Sequence, residues 1–169
     1  IGDSSGEPVG RYVGNEPNEA AFASGDAIGL MVNEGSFVKW TYDGSKWSPT
    51  GNAVYWEDKV SDHDFYAFYP YKENGGMSLA NVPMPDLLGQ DGSMVEVAKR
   101  DFLVTTKTQA YGSNGVVSFT KANGAPFTHV SSLIQINIKG NGDLKNATIT
   151  GIAIEGDGIT TLSSYSFDD

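Results

Sequence analysis

Apolar residues in this chain come in short alternating runs, broken every few positions by Gly, Asn, Asp or Pro. That is the pattern of β-strands joined by turns, because side chains one position apart point to opposite faces of a strand. The turn Ser24-Gly25-Asp26 opens a first strand over Asp26–Asn33. Phe37–Trp47 reads as a hairpin. Asp43-Gly44 supplies its two-residue turn, which sets Trp40 opposite Trp47 and places Val38, Trp40 and Tyr42 on one face. Ala53–Glu57 is a short strand. Asp64–Tyr71 is apolar on both alternating faces and ends at Pro70, so it is expected at the centre of a sheet, covered on both sides.

Lys72–Ala98 holds repeated Gly and Pro and predicts irregular structure, with a helical turn over Met94–Arg100. Strands follow over Asp101–Lys107, Val116–Ala122 and Phe127–Lys139. In the last, Ile134, Ile136 and Ile138 share one face, opposite Gln135, Asn137 and Lys139, with Leu133 the apolar residue on the polar side. Ala147–Glu155 carries Ile149, then Ile152 and Ile154, with a change of parity at Gly151 that suggests a bulge. Asp157-Gly158 turns into a strand over Ile159–Phe167. About nine closely spaced strands predict an all-β sandwich or barrel. Ile1–Asn18 lacks periodicity and reads as a flexible leader, so the domain division is 1–21 leader and 22–169 a single β-sandwich.

Composition narrows the function. The chain has 169 residues, 11 Lys+Arg against 21 Asp+Glu, and a net charge of −10. Such a chain repels phosphate backbones and anionic lipid heads, which argues against nucleic-acid binding. No cysteine is present, which excludes thiol catalysis, disulfides, and thiolate metal sites. No apolar run is long enough to span a membrane.

Candidate chemistry is sparse. His63 in Asp62-His63-Asp64 is expected in a solvated loop, pointing away from both aspartates. His129 in Phe127-Thr128-His129-Val130 is expected to be a structural histidine at the core edge, without the Gly-x-Ser-x-Gly elbow that would recruit Ser131 or Ser132. Glu155-Gly156-Asp157-Gly158 and Asn141-Gly142-Asp143 offer only fragments of a calcium-ligand set and are read as turns. Nothing in the sequence calls for a cofactor or a metal. Trp40, Trp47, Trp56, Tyr66 and Tyr69 could form a sugar-stacking platform, but core packing and cross-strand pairing is the preferred role.

Asp64-Phe65-Tyr66-Ala67-Phe68-Tyr69-Pro70 resembles the DFYAYYP signature of fimbrillin-like proteins, the surface pilins and adhesins of Bacteroides-type Gram-negative bacteria. Four further stretches match that family in the same order. Phe22–Leu30 resembles its F-x-x-G-D-x-I-G opening strand, with Gly25 and Asp26 in place, and Val54-Tyr55-Trp56 resembles its YWP strand with Glu57 where proline is usual. Asp101-Phe102-Leu103-Val104 resembles D-[FL]-L-V-A, and Phe127-Thr128-His129 its F-x-H element.

The resemblance implies structural roles for Gly25, Asp26, Trp56, Phe65, Tyr66, Tyr69, Pro70, Asp101, Phe102 and His129, and no catalytic residue. It implies a transthyretin-like Greek-key β-sandwich with long irregular loops and little helix, forming the amino-terminal domain of a longer two-domain protein. The implied role is a non-enzymatic fimbrial subunit or pilus-associated adhesin. It would join other pilus subunits through edge strands, bind host or bacterial surface ligands, and be displayed on the outer membrane or fimbrium through a lipid anchor outside these residues. The alternative is a surface module binding carbohydrate or a host ligand. Family pilins are opened for assembly by proteolysis after a basic residue. Arg11 is the only basic residue ahead of the first strand, which makes it the processing candidate.

Overall fold

A computed structural model describes residues 11, 21–73, 76–112, 114–132, 134, 136–157 and 162–168. The leader 1–10 and 12–20, Leu133, and the Gly158 half of the Asp157-Gly158 turn lie outside the described residues.

Among the described residues, eight strands and one α-helix follow one another as β1 (Ala27–Val32), β2 (Val38–Tyr42), β3 (Trp47–Pro49), β4 (Asp62–Tyr69), β5 (Val82–Pro83), α1 (Met94–Arg100), β6 (Leu103–Ala110), β7 (Thr128–His129) and β8 (Ser164–Tyr165). Six of the strands form an antiparallel sheet in the order β3-β2-β1-β4-β6-β7, and β5 pairs with β8 in a small second sheet. The architecture is all-β with little helix and long irregular connections, as the alternation predicts.

Strand β4 shows why. Its two apolar faces require cover on both sides, and it lies inside the sheet between β1 and β6. Phe65, Ala67 and Tyr69 enter one core cluster with Ile28, Leu30, Val32, Trp47 and Leu103. Phe68 enters a second cluster on the opposite face with Met31, Phe37, Val82 and Phe102. The β5–β8 pair covers this second face, with Tyr165 and Phe167 packed against it. The first face is covered differently. Phe22, Val54, Trp56 and Val117 pack on it from segments that belong to no ladder among the described residues.

Gly29 faces Phe68 directly across the β1–β4 pair. A Cβ at Gly29 would press into Cε1 of Phe68 and lie 2.7 Å from its Cζ, so only glycine leaves room for that ring. The helix forms as expected over Met94–Arg100, capped by the Ser93 hydroxyl, which accepts from the Glu96 amide at 3.3 Å.

Several expectations need correction. The hairpin turn is longer than two residues: Tyr42, not Trp40, lies opposite Trp47, and Asp43–Lys46 form a four-residue loop. The cause is the Asp43 carboxylate, which accepts from the amides of Ser45 (2.8 Å) and Lys46 (2.9 Å) and from the Ser45 hydroxyl, closing a wider turn around Gly44. Trp40 and Trp47 keep one face but sit diagonally. Ala53–Glu57, Val116–Ala122 and Ala147–Glu155 form no strand among the described residues, and Phe127–Lys139 contributes only Thr128–His129. Ile134, Ile136, Ile138, Ile149, Ile152 and Ile154 are exposed. Alternation alone does not make a strand; a ladder partner must also be present.

His63 departs furthest from expectation. It is 1% exposed rather than solvated, although the flanking Asp62 and Asp64 do point to solvent. It shares the face of Phe65 and Ala67 in β4. Its Nε2 accepts the Glu57 amide at 3.1 Å, and its Nδ1 lies 3.0 Å from the Ser61 carbonyl. A tautomer with the proton on Nδ1 satisfies both contacts.

Candidate functional site

The residues singled out by the sequence gather at three places. The first lies where β1 begins and β4 ends. Gly25, at φ +95°, makes the turn that only a residue free of Cβ adopts easily, and its amide donates to the Tyr42 carbonyl at 2.8 Å. Asp26 is thereby held as a hub. It accepts from the Ala23 amide at 2.7 Å and from Arg11 Nε at 2.9 Å, and the Tyr69 hydroxyl lies 3.4 Å from its Oδ1. Burial, reinforced by the Asp26 charge, pushes the Tyr69 hydroxyl well above its ordinary pKa, so it stays a donor. Arg11 is half-buried in this ion pair, and its carbonyl accepts from the Ala21 amide at 3.0 Å. The processing candidate is thus pinned to the sheet at its side chain. Pro70 ends β4 next to this hub.

The second place lies between α1 and β7. His129 Nδ1 is 2.7 Å from the buried Asp101 carboxylate, which follows the helix. Phe102 is fully buried against Phe68, in the cluster on the far side of the sheet. Tyr66 packs on that same far face, against Phe167. Trp40, Trp47, Trp56 and Tyr69 lie on the opposite face. The five aromatics therefore cannot line up as one exposed stacking platform.

The third place is a groove of about 610 Å³ over the first face of the sheet. Leu30, Val32 and Phe65 floor it, Trp40 and Trp47 of the hairpin form one wall, and residues 54–56 and 115–119 form the rim. Trp56 stands edge-on to Phe65 and His63, and its indole N–H donates to the Gly115 carbonyl at 3.0 Å. Trp40 and Trp47 differ from it: the Nε1 of each is buried and has no acceptor among the described residues. Trp47 as a whole is 9% exposed. A buried N–H without a partner costs the full desolvation of that group, and each of these two is unsatisfied among the described residues. The sequence pattern places both tryptophans on one face; that their N–H groups would be orphaned depends on distant segments and was not legible.

Among the described residues no group of three or more His, Asp or Glu could hold a metal ion. The fold and site define a β-sandwich protein with an open apolar groove. The fimbrillin-like family model matches residues 11–169, and the chain belongs to that family. The chain is 27% identical over 150 residues to a Bacteroides ovatus protein named "Putative fimbrium tip subunit Fim1C", covering 75% of this chain and 27% of that one. A crystal structure of a fimbrial protein from Bacteroides ovatus ATCC 8483 is also similar, at 24% identity and a TM-score of 0.42 over 72% of this chain and 27% of the other. The chain spans about a quarter of the length of these relatives.

Proposed function

We propose that this chain is part of a fimbrial subunit that assembles with other subunits by β-strand donation at the cell surface. Membership of the fimbrillin-like family supports the fimbrial role. One structural observation supports the mode of assembly: among the described residues, the first face of the six-stranded sheet lacks a laddered second layer. Much of its cover comes from Val54, Trp56, Val117 and Phe119, which lie in segments read from sequence as strands (53–57 and 116–122) yet belong to no ladder among the described residues. An extended segment from a neighbour would supply the missing main-chain partners and place alternate side chains on the apolar face. The reading is of a structural protein with no catalytic step.

The same reading makes Arg11 the processing site and places the chain in a longer two-domain, transthyretin-like, lipid-anchored outer-membrane protein. The exposed isoleucines at 134, 136, 138, 149, 152 and 154 support the second domain, because so much exposed apolar surface calls for a further apolar layer.

Incubating the full-length protein with an Arg-specific protease, beside an Arg11→Ala control, tests activation. The expected result is a set of SDS-resistant ladders that depend on Arg11. Cleavage that leaves a monomer, or ladders that form equally well with Arg11→Ala, would remove the activation step.

A further inference from the structure

We propose that Asn141 is a site of spontaneous covalent modification, in which the Gly142 main-chain nitrogen closes on the Asn141 side chain to a succinimide that water opens to aspartate and isoaspartate. The proposal is independent of the assembly reading above.

Asn-Gly occurs three times among the described residues, at Asn114-Gly115, Asn123-Gly124 and Asn141-Gly142, and all three asparagines are exposed. What separates them is where the glycine amide points. The Gly115 amide donates to the Tyr111 carbonyl at 3.1 Å, and Asn114 Oδ1 accepts from the Val116 amide at 3.2 Å. The Tyr111 ring also crowds Gly115, its Cε2 lying 2.6 Å from where a Cβ would stand. The Gly124 amide donates to the Lys121 carbonyl at 3.1 Å, and Asn123 Oδ1 is held by the Thr120 amide at 3.0 Å and by the Thr120 hydroxyl. In both pairs the glycine nitrogen faces another carbonyl and the asparagine side chain is tied away from it. Gly142 differs: its amide donates to Asn141 Oδ1 itself, at 2.8 Å. That bond folds the side-chain carboxamide back onto the nitrogen that must attack it. The space around Gly142 is open, with nothing within 4 Å of a Cβ position, and its φ of +57° is one that glycine holds without strain. Reacting groups already held side by side react far faster than groups that must first find each other.

The steps balance with water as the one added reactant. The Gly142 nitrogen gives its proton to solvent and bonds to Asn141 Cγ; the Cγ–Nδ2 bond breaks, and the side-chain nitrogen leaves as ammonia. Water then opens the ring. Opening at Cγ leaves aspartate. Opening at the main-chain carbonyl leaves isoaspartate, with the chain running through Cβ. Either product adds a negative charge to a chain already at −10, in the connection between the exposed isoleucines at 134, 136 and 138 and those at 149, 152 and 154.

Trypsin separates the three sites, because Lys107, Lys121, Lys139 and Lys145 bound the peptides 108–121, 122–139 and 140–145. The test incubates the full-length folded protein in ¹⁸O-water at mildly acidic, neutral and mildly alkaline pH, digests it in ordinary water, and follows Asn114, Asn123 and Asn141 by mass spectrometry. The expected result is conversion at Asn141 several-fold faster than at either other site, with uptake of ¹⁸O and a rate that rises with pH. Isoaspartate should be present in the product, read by labelling with protein isoaspartate methyltransferase. In guanidinium chloride the folded geometry is lost, and the three rates should draw together. Asn141→Gln demands a larger ring and should leave that position unconverted. No conversion at Asn141, conversion at Asn114 or Asn123 as fast as at Asn141 in the folded protein, an order of rates that denaturant leaves unchanged, or aspartate formed without isoaspartate would each overturn the proposal.

Discussion

Replacing Gly29 by alanine probes the packing that joins the two central strands. The new methyl has nowhere to go: it meets the Phe68 ring, with Cζ at 2.7 Å and Cδ1 at 2.9 Å. The ring cannot retreat easily. Phe68 is fully buried, Phe37 stands edge-on to it at 5.0 Å, and Tyr71 and Phe102 lie within about 6 Å. Overpacking a sealed core costs about 1–3 kcal/mol. Alanine in place of a strand glycine recovers about 0.5–1 kcal/mol of backbone entropy. The net expectation is a loss of about 1–2 kcal/mol, or a fall in Tm of roughly 2–8 °C for a chain of this size. Phe68→Ala alone should cost about 3–5 kcal/mol. In that background the methyl has space, so Gly29→Ala should change sign and stabilise by about 0.5–1 kcal/mol. Urea unfolding, followed by tryptophan fluorescence and circular dichroism with matching m-values, measures all four corners of the cycle. A Gly29→Ala effect that is the same with and without the Phe68 ring would refute the packing argument.

Three further outcomes follow from the geometry. His63→Ala leaves the Glu57 amide without its acceptor and removes the ring packed 5.1 Å from Trp56; it should cost about 1–3 kcal/mol in the same urea assay, and a neutral result would contradict the burial. Hydrogen bonds hold the Asp43 and Asp58 carboxylates down at about 2, led by the Lys46 amide for Asp43 and the Ser61 amide for Asp58. Their contribution to stability should be complete above the ordinary value of 3.8 and lost as pH falls through about 2, and carboxyl ¹³C shifts followed against pH would show both midpoints. Asp26→Ala releases the Arg11 side chain from its ion pair, so an Arg-specific protease should cut after Arg11 several-fold faster than in the parent; equal rates would mean that the pair does not limit access.

How much of this was legible depended on where each residue finds its partner. The central position of β4 could be read directly, because a strand apolar on both faces has few other places to lie. The helix over Met94–Arg100 and the Gly25-Asp26 turn rest on local chemistry and were equally accessible. Trp40 and Trp47 were assigned to one face, but not the register, because the Asp43 side chain widens a turn that Asp-Gly alone suggests is tight. His63 misled because its neighbours are aspartates; alternation put those in solvent and the imidazole on the core face, and the amides that satisfy it come from the preceding loop. The strands expected at 53–57, 116–122 and 147–155 have strand-like sequences and no ladder partner among the described residues. The function of the Gly29 position, within a motif otherwise read as a turn and a strand, became visible only with Phe68 opposite it.

The central claim is that this chain belongs to a subunit that builds fibres on the cell surface. Electron microscopy of material sheared from cells making the full-length protein, with immunogold labelling by antibody raised against residues 22–130, tests it directly. The account predicts gold on the sheared fibres, lost when the gene is deleted. Gold confined to soluble or membrane fractions, with fibres unlabelled, would contradict it.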